Sequence, residues 1–126
     1  MMRDCMSSPS FTVYTYANCD TCRRASQWLK KRKITFVEKP IRQTPPSLAE
    51  LRAMLAAYGG DLRRLFNTAG QDYRALDLKT KLPRLSEKEA LDLLAANGNL
   101  VKRPFLLGPH VGLVGFDETV WSESIG

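Results

Sequence analysis

The stretch that decides the fold is FTVYTYANCDTC, residues 11–22. β-Branched and aromatic residues dominate from Ser10 to Tyr16, which predicts a strand buried on at least one face. Apolar residues at helical spacing then predict a helix from about Thr21 to Lys31. The inner face of this helix would consist of Cys22, Ala25, Trp28 and Leu29. A second strand is predicted from Ile34 to Glu38, so the segment forms a βαβ unit with parallel strands.

The rest of the chain predicts a helical block followed by a hairpin and a helix. Capping boxes at Ser47 to Glu50 and Ser86 to Glu89 each open a helix, and shorter helices are predicted at Leu62 to Phe66 and Tyr73 to Leu78. The last elements are predicted at Phe105 to Leu107, Val111 to Val114 and Glu118 to Ser124. This order predicts an α/β fold with a thioredoxin-like core, in which helices flank a mixed four-stranded sheet and a helical insertion occupies about 47–98.

The chain has 126 residues and a net charge of +6, which fits one domain, assigned to residues 10–126. Residues 1–9 lack the apolar segment of a secretory signal, so a disordered extension is expected there. No apolar run approaches the roughly 20 residues that span a bilayer. We therefore expect a cytoplasmic protein without a membrane partner. The basic run from Lys30 to Lys33 complements a helix C-terminus, and no aromatic residues interleave it to suggest direct nucleic-acid binding.

Cys19 and Cys22 lie three residues apart at the start of the predicted helix, on one face and within disulfide reach. Cys19 falls near the N-cap, where unpaired backbone N–H groups and the helix dipole favour the thiolate. Arg23 and Arg24 add positive potential, which Asp20 opposes. We predict that Cys19 is the nucleophile, because it is the more exposed, and that Cys22 is the resolving thiol.

The two cysteines also allow other interpretations. Cysteine is a common small core residue, so the pair could be purely structural. A structural zinc site needs four ligands, and Cys5 and His110 are the only other cysteine and histidine in the chain. No metal is therefore expected, and Cys5 is expected to have no catalytic role.

The Arg103-Pro104 step precedes the predicted hairpin, and the topology places it opposite the start of the helix. An X–Pro bond adopts the cis form at modest energetic cost, and a cis bond here would turn backbone groups toward the thiol of Cys19. Arg103 would add a permanent cation that can bind an oxyanion in a bidentate manner. The alternative is a surface arginine ahead of a turn.

These motifs resemble those of the ArsC/Spx family, which includes glutaredoxin-coupled arsenate reductases, Spx regulators and YffB-like proteins. The resemblance rests on NCDTCRRA at 18–25, WL at 28–29, LFNTAG at 65–70, KRP at 102–104 and GLVGF at 112–116. It implies a thioredoxin-like fold, a catalytic cysteine at Cys19, a functional arginine at Arg103 and a cis peptide at Pro104.

The resemblance also distinguishes the branches of the family. Arsenate reductases hold the oxyanion with two further arginines, and the aligned positions here are Asn67 and Gly115. The loss of two cations should weaken arsenate binding severely. Asn67 and Gly115 are closer to the YffB-like branch. Cys22 is closer to Spx, in which a cysteine pair acts as a disulfide switch and the protein binds the C-terminal domain of the RNA polymerase α subunit.

Two functions fit these residues best, and an inactive binding module is a third. In a thiol-dependent reductase, Cys19 attacks an oxidised thiol or an oxyanion and Cys22 or glutathione resolves the adduct. Glutaredoxin or thioredoxin would be the reductant, glutathione a co-substrate, and no cofactor would be bound. In an Spx-like regulator, the disulfide would change a surface that binds the RNA polymerase α subunit. For the reductase, the expected catalytic residues are Cys19, Cys22 and Arg103, and the expected substrate contacts are Asn18, Thr21, Pro104 and Asn67.

Overall fold

A four-stranded sheet forms the centre of the computed structural model, which describes residues 11–125. The strands are β1 (Phe11–Thr15), β2 (Phe36–Pro40), β3 (Phe105–Gly108) and β4 (Val111–Val114), in the order β2-β1-β3-β4. β1 pairs in parallel with β2 and antiparallel with β3, which pairs antiparallel with β4. The predicted mixed sheet is confirmed. The disordered extension predicted for residues 1–9 lies outside the described residues.

Six α-helices flank the sheet within residues 11–125. They are α1 (Asp20–Lys31), α2 (Leu48–Ala57), α3 (Gln71–Ala75), α4 (Leu78–Lys81), α5 (Glu87–Ala96) and α6 (Glu118–Ser124). Short 3₁₀ turns occur at Leu62–Leu65, Leu82–Arg84 and Gly98–Leu100. Both predicted capping boxes are present, with Ser47 and Ser86 as the N-cap residues. None of the six helices combines the length and apolar character that crossing a membrane requires.

Several boundaries differ from the prediction, and the helix predicted from Leu62 to Phe66 is the 3₁₀ turn Leu62–Leu65. Two of the differences have a visible cause. β2 begins at Phe36 instead of Ile34, because the N–H of Ile34 still bonds to the Leu29 carbonyl of α1 after Lys33 turns the chain with a φ of 58°. The helix predicted from Tyr73 to Leu78 is interrupted at Asp77, whose φ of 52° separates α3 from α4. In both places a single residue with a left-handed backbone lies between two elements and sets the boundary.

The sheet separates two apolar cores. Side chains alternate across β1, so Val13 and Tyr14 enter different cores. Val13 packs against α1 and α6, in a cluster that includes Trp28, Leu29 and Trp121. Tyr14 packs against the helical block, in a cluster that includes Leu51, Met54, Phe66, Leu91 and Leu94. The helical insertion therefore covers one face of the sheet, while α1 and α6 cover the other.

Gly98 lies where the helical block meets the loop after β2. A Cβ at this position would lie 1.8 Å from the carbonyl oxygen of Ile41. The close approach therefore requires a residue without a side chain. It fixes the turn at Gly98–Leu100, which immediately precedes the segment that enters β3.

Candidate functional site

Cys19 lies at the junction between β1 and α1, as the N-cap residue of the helix. Its backbone N–H donates to the carbonyl of Tyr16 at 3.0 Å and closes the turn that leaves the strand. Its half-buried Sγ accepts a hydrogen bond from the backbone N–H of Cys22 at 3.4 Å. An N–H in the first turn of a helix has no carbonyl partner earlier in the helix, so it can stabilise negative charge on the sulfur. The structure thus places Cys19 at the predicted N-cap.

Cys22 lies on the inner face of α1 and is only 2% exposed. Burial raises the pKa of its thiol to about 12, and the neighbouring Cys19 contributes in the same direction. The N–H of Tyr16, 3.5 Å from Sγ, and the guanidinium of Arg103 act in the opposite direction but do not offset burial. Both cysteines are free thiols in this structure. An accessible sulfur at the helix start therefore stands beside a buried, protonated one.

The Arg103-Pro104 peptide is cis, as predicted. Arg103 is half-buried, and its Nη2 donates to the carbonyl of Asn99 at 2.9 Å. Its Nε is buried and has no hydrogen-bond partner among the described residues. Pro104 is buried, and its carbonyl accepts a hydrogen bond from the N–H of Gly115 at 2.9 Å. Gly115 has a φ of 70°, and its own carbonyl accepts from the indole of Trp121 at 3.1 Å.

Tyr16, at the end of β1, connects the two cysteines with the arginines. The guanidinium of Arg103 lies 5.3 Å from the centre of its ring, and that of Arg42 lies 5.0 Å from the same point. The hydroxyl accepts hydrogen bonds from Asn18 at 3.4 Å and from Arg42 at 3.0 Å. The hydrogen bond from Asn18 is the main cause of a lowered Tyr16 pKa, and the charges of Arg42 and Arg103 contribute.

A cavity of about 290 Å³ opens beside these arginines, here called the Arg103 cleft. It is lined by Tyr16, Arg42, Asn67, Gly70, Gln71, Asp72, Asn99 and Arg103. The structure therefore brings the predicted substrate contact Asn67 into the same cavity as Arg103. The carboxylate of Asp72 accepts hydrogen bonds from Asn97 at 3.0 Å and Asn99 at 3.3 Å, which occupies one of its oxygens. The cleft presents two cations, one carboxylate and several amides to a ligand. Because the two guanidiniums outnumber the carboxylate, the set is suited to an anion.

Neither the two cysteines nor the other predicted contacts line this cleft. Asn18 is exposed and directs its amide toward the Tyr16 hydroxyl. Thr21 is half-buried in the first turn of α1, and Pro104 is buried behind Arg103. Their roles as substrate contacts remain predictions. Across residues 11–125, no cluster of three or more His, Cys, Asp and Glu side chains could hold a metal ion.

A second cavity, of about 210 Å³, opens on the β2 side of Tyr16 and is here called the Glu38 cleft. It is lined by Thr15, Tyr16, Ala17, Cys22, Arg23, Ser26, Gln27, Lys30 and Glu38. The hydroxyl of Thr15 donates to Glu38 Oε2 at 2.6 Å, and that of Ser26 donates to the same oxygen at 3.4 Å. This cleft places a carboxylate at the same cavity as the buried thiol of Cys22.

Arg42, Tyr16 and Glu38 were not predicted as site residues. Tyr16 and Glu38 are strand residues by composition, and Arg42 is one basic residue in a proline-rich loop. These residues belong to the site through contacts between distant parts of the chain, such as the hydrogen bond from Arg42 to Tyr16. The one available signal was that Tyr16 closes its strand beside the cysteine motif, where the ends of parallel strands collect functional side chains.

Comparison with known proteins identifies sequence relatives that span most of the chain. Over 115 residues, the chain is 44% identical to the uncharacterized protein YusI of Bacillus subtilis (strain 168), covering 91% of this chain and 98% of YusI. It is 30% identical over 107 residues to the global transcriptional regulator Spx of Enterococcus faecalis (strain ATCC 700802 / V583), covering 85% of this chain and 80% of Spx.

Among solved structures, the fold is similar to that of a Streptococcus mutans UA159 protein described as a possible arsenate reductase. The TM-score is 0.81 at 40% sequence identity, covering 86% of this chain and 92% of that chain. The profile of the ArsC family matches residues 14–124, which include both cysteines and the cis-proline step. The chain therefore belongs to the ArsC family, and its fold is the thioredoxin-like fold of that family.

Proposed function

We propose that this chain is a thiol-dependent reductase of the arsenate reductase-like type. Cys19 is the nucleophile, and its substrate is an oxidised thiol or an oxyanion. The observation that carries the proposal is the pairing of a half-buried Cys19 at a helix N-cap with a buried Cys22 thiol one turn later. The sulfur of Cys19 is accessible to a substrate, and the buried sulfur of Cys22 can attack Cys19 after the substrate has reacted.

The reaction follows from this pairing. The Cys19 thiolate attacks one sulfur of a disulfide substrate, and the other sulfur leaves as a thiolate with the electron pair of the broken bond. Cys22 then attacks Cys19 Sγ, releases the bound half of the substrate as a second thiolate, and leaves a Cys19–Cys22 disulfide. Glutathione, glutaredoxin or thioredoxin reduces that disulfide and restores both thiols. Glutathione can also resolve the adduct in place of Cys22.

The Arg103 cleft favours an anionic substrate. The guanidiniums of Arg103 and Arg42 flank Tyr16 beside the cysteine motif. Asn67 and Gly115 stand where the family resemblance places two further arginines of arsenate reductases, so a compact tetrahedral oxyanion finds fewer cations here. A glutathione mixed disulfide, which carries carboxylates away from its sulfur, fits this arrangement better than arsenate does.

The experiment is steady-state reduction of a glutathione mixed disulfide with glutathione as the only added reductant, and of arsenate with glutathione and glutaredoxin. Glutaredoxin is left out of the first assay because its own thiol reduces such disulfides. Cys19→Ser should lose turnover by at least about 10³-fold, because the nucleophile is gone. Cys5→Ser is the matched control and should retain full turnover. Turnover that survives in Cys19→Ser, or that is absent from the wild-type protein with both substrates, contradicts the proposal.

An Spx-like regulator is the second candidate. It is favoured by the 30% identity to the global transcriptional regulator Spx over 85% of this chain, together with the cysteine pair. In this case the Cys19–Cys22 disulfide changes a surface that binds the RNA polymerase α subunit. The purified C-terminal domain of that polymerase α chain should then bind the oxidised and reduced forms of this protein with different affinities. Equal binding of both forms, or none, would rule this candidate out.

A further inference from the structure

The resolving step requires a proton acceptor. Cys22 is only 2% exposed on the inner face of α1, and this burial raises the pKa of its thiol well above neutral pH, so the protonated form dominates. The thiolate is the form that attacks a disulfide. An unaided Cys22 would therefore react slowly with a Cys19 adduct, so a nearby group that removes its proton would accelerate the step.

The Glu38 cleft contains a suitable group. Glu38 is the only carboxylate among the residues that line it, and the cleft is also lined by Cys22. Ser26, one turn after Cys22 on the buried face of α1, donates a hydrogen bond to Glu38 Oε2 at 3.4 Å. Thr15, which is 6% exposed, holds the same oxygen at 2.6 Å. Two buried hydroxyls therefore fix the carboxylate at the cavity that borders the buried thiol.

The charges around the cleft agree with this role. Arg23 and Lys30 line it from α1 and stabilise an anion there, but neither protonated side chain accepts a proton near neutral pH. Arg103 favours the Cys22 thiolate from the loop before β3. Cys19 carries no charge at this stage, because its sulfur is part of the mixed disulfide. Glu38 itself lies on edge strand β2 and is exposed, so a proton that it takes can pass to bulk water.

We infer that Glu38 accepts the proton of Cys22 when that thiol resolves a mixed disulfide on Cys19, a role that rests on the proposed reductase function. The proton leaves Cys22 Sγ for the Glu38 carboxylate, through the hydroxyl of Ser26 or through water, for which a cavity of about 210 Å³ has room. Cys22 Sγ forms a bond to Cys19 Sγ, and the bond from Cys19 to the substrate sulfur breaks. The leaving sulfur keeps the electron pair, and Glu38 releases its proton to solvent.

The test measures the two thiol steps separately with dithiobis-nitrobenzoate, in the full chain carrying Cys5→Ser so that only the motif cysteines report. Attack by Cys19 releases a first equivalent of coloured thionitrobenzoate, and attack by Cys22 on the resulting mixed disulfide releases a second. Cys22→Ser identifies the phases because it should show only the first release. The variant under test is Glu38→Gln, which preserves the size and the hydrogen-bonding oxygen of the side chain.

Glu38→Gln should slow the second release roughly ten- to hundredfold near neutral pH and leave the first release unchanged. The difference from the wild-type protein should shrink as pH rises, since hydroxide then removes the proton. Glu123→Gln, an exposed carboxylate on α6, is the matched control and should match the wild-type protein in both phases. A purely electrostatic role predicts the opposite sign, because removal of a negative charge favours the thiolate and speeds the second release.

The inference and the proposed function fail in different ways. A second release in Glu38→Gln that is as fast as in the wild-type protein, or faster, overturns the role of Glu38 and leaves the resolving role of Cys22 intact. A wild-type chain that gives no second release overturns the resolving role itself, and with it the need for a proton acceptor. A pH-independent slowing in Glu38→Gln points to displaced packing and also overturns the inference.

Discussion

The Arg103 cleft and the Glu38 cleft share Tyr16 but differ in chemistry. Arg103 and Arg42 give the first a permanent positive charge, since guanidinium groups do not lose their protons in proteins. The second combines a carboxylate with two hydroxyls, and its lining includes the buried Cys22. In the function proposed above, the first cleft would bind an anionic substrate and the second would take up a proton, so the difference between the clefts would keep these two tasks in separate places.

The two clefts also come from different parts of the chain. Every residue that lines the Glu38 cleft lies between Thr15 and Glu38, within the βαβ unit. The Arg103 cleft adds Asn67, Gly70, Gln71, Asp72 and Asn99 from the helical block and its end. In the proposed reductase, the βαβ unit would supply the two thiols, and the helical insertion would supply much of the surface that selects a substrate.

Gly98→Ala should have the largest effect on stability, because it disturbs the junction between the helical insertion and the loop after β2. The added methyl group would lie 1.8 Å from the Ile41 carbonyl oxygen, which is backbone and cannot rotate away. We expect the free energy of unfolding to fall by about 3 kcal/mol, measured by urea denaturation. Gly70→Ala is the matched control, since its methyl group first meets the movable Asn67 amide, and it should lose less. Equal losses would contradict this account of the junction.

Arg103→Ala should weaken anion binding, and the effect is measured on the first step, the attack by Cys19. The rate of Cys19 attack should fall by about 30-fold for glutathione disulfide, since a charged hydrogen bond to the substrate is lost. Neutral hydroxyethyl disulfide should react at nearly the wild-type rate. Arg84→Ala, an exposed arginine outside both clefts, is the control and should change neither rate. A similar loss with both disulfides would mean that Arg103 acts on the thiol and not on substrate charge.

The buried thiol should make stability depend on pH. The pKa of Cys22 is raised in the folded state from an ordinary value of 9.0 to about 12. The protonated Cys22 thiol therefore contributes its full share to the free energy of unfolding below about pH 9, and this share is lost as the pH rises toward about 12. Between about pH 8 and about pH 10, the wild-type protein should lose about 1 kcal/mol more stability than Cys22→Ala, by urea denaturation under reducing conditions. Parallel pH profiles for the two proteins would show that Cys22 ionises freely when folded.

Tyr16→Phe should have the smallest effect on the reaction rates, and it should affect only the Arg103 cleft. It removes the hydroxyl that accepts from Arg42 at 3.0 Å but keeps the ring between the two arginines. We expect the rate with glutathione disulfide to fall about threefold, in stopped-flow measurements, because Arg42 loses an anchor. The second thionitrobenzoate release should not change. A slower second release would show that Tyr16 also serves the Glu38 cleft, and the separation of the two would be lost.

The sequence predicted the features that depend on neighbouring residues. The N-cap position of Cys19 and the capping boxes at Ser47 and Ser86 each involve partners within one helical turn, and all three are present. Strand pairing followed from the element order, and the family resemblance implied the cis bond at Pro104.

The contacts that build the two clefts could not be predicted in this way. Arg42 reaches Tyr16 across 26 positions, and Glu38 reaches Thr15 across 23. Such contacts depend on how the strands and loops pack, and a single sequence does not encode them as a pattern. The boundaries of β2 and of the helix predicted from Tyr73 to Leu78 were also missed. Lys33 and Asp77 adopt left-handed backbone conformations, but neither is a glycine, the residue from which a turn would have been predicted.

Gly115 carries a consequence for any redesign of the site. Its N–H donates to the carbonyl of Pro104 and its carbonyl accepts from the indole of Trp121. Its φ of 70° would cost a residue with a side chain about 1–2 kcal/mol. An arginine placed here to bind an oxyanion would therefore strain the backbone, so adding such a cation would require changes around Gly115 as well.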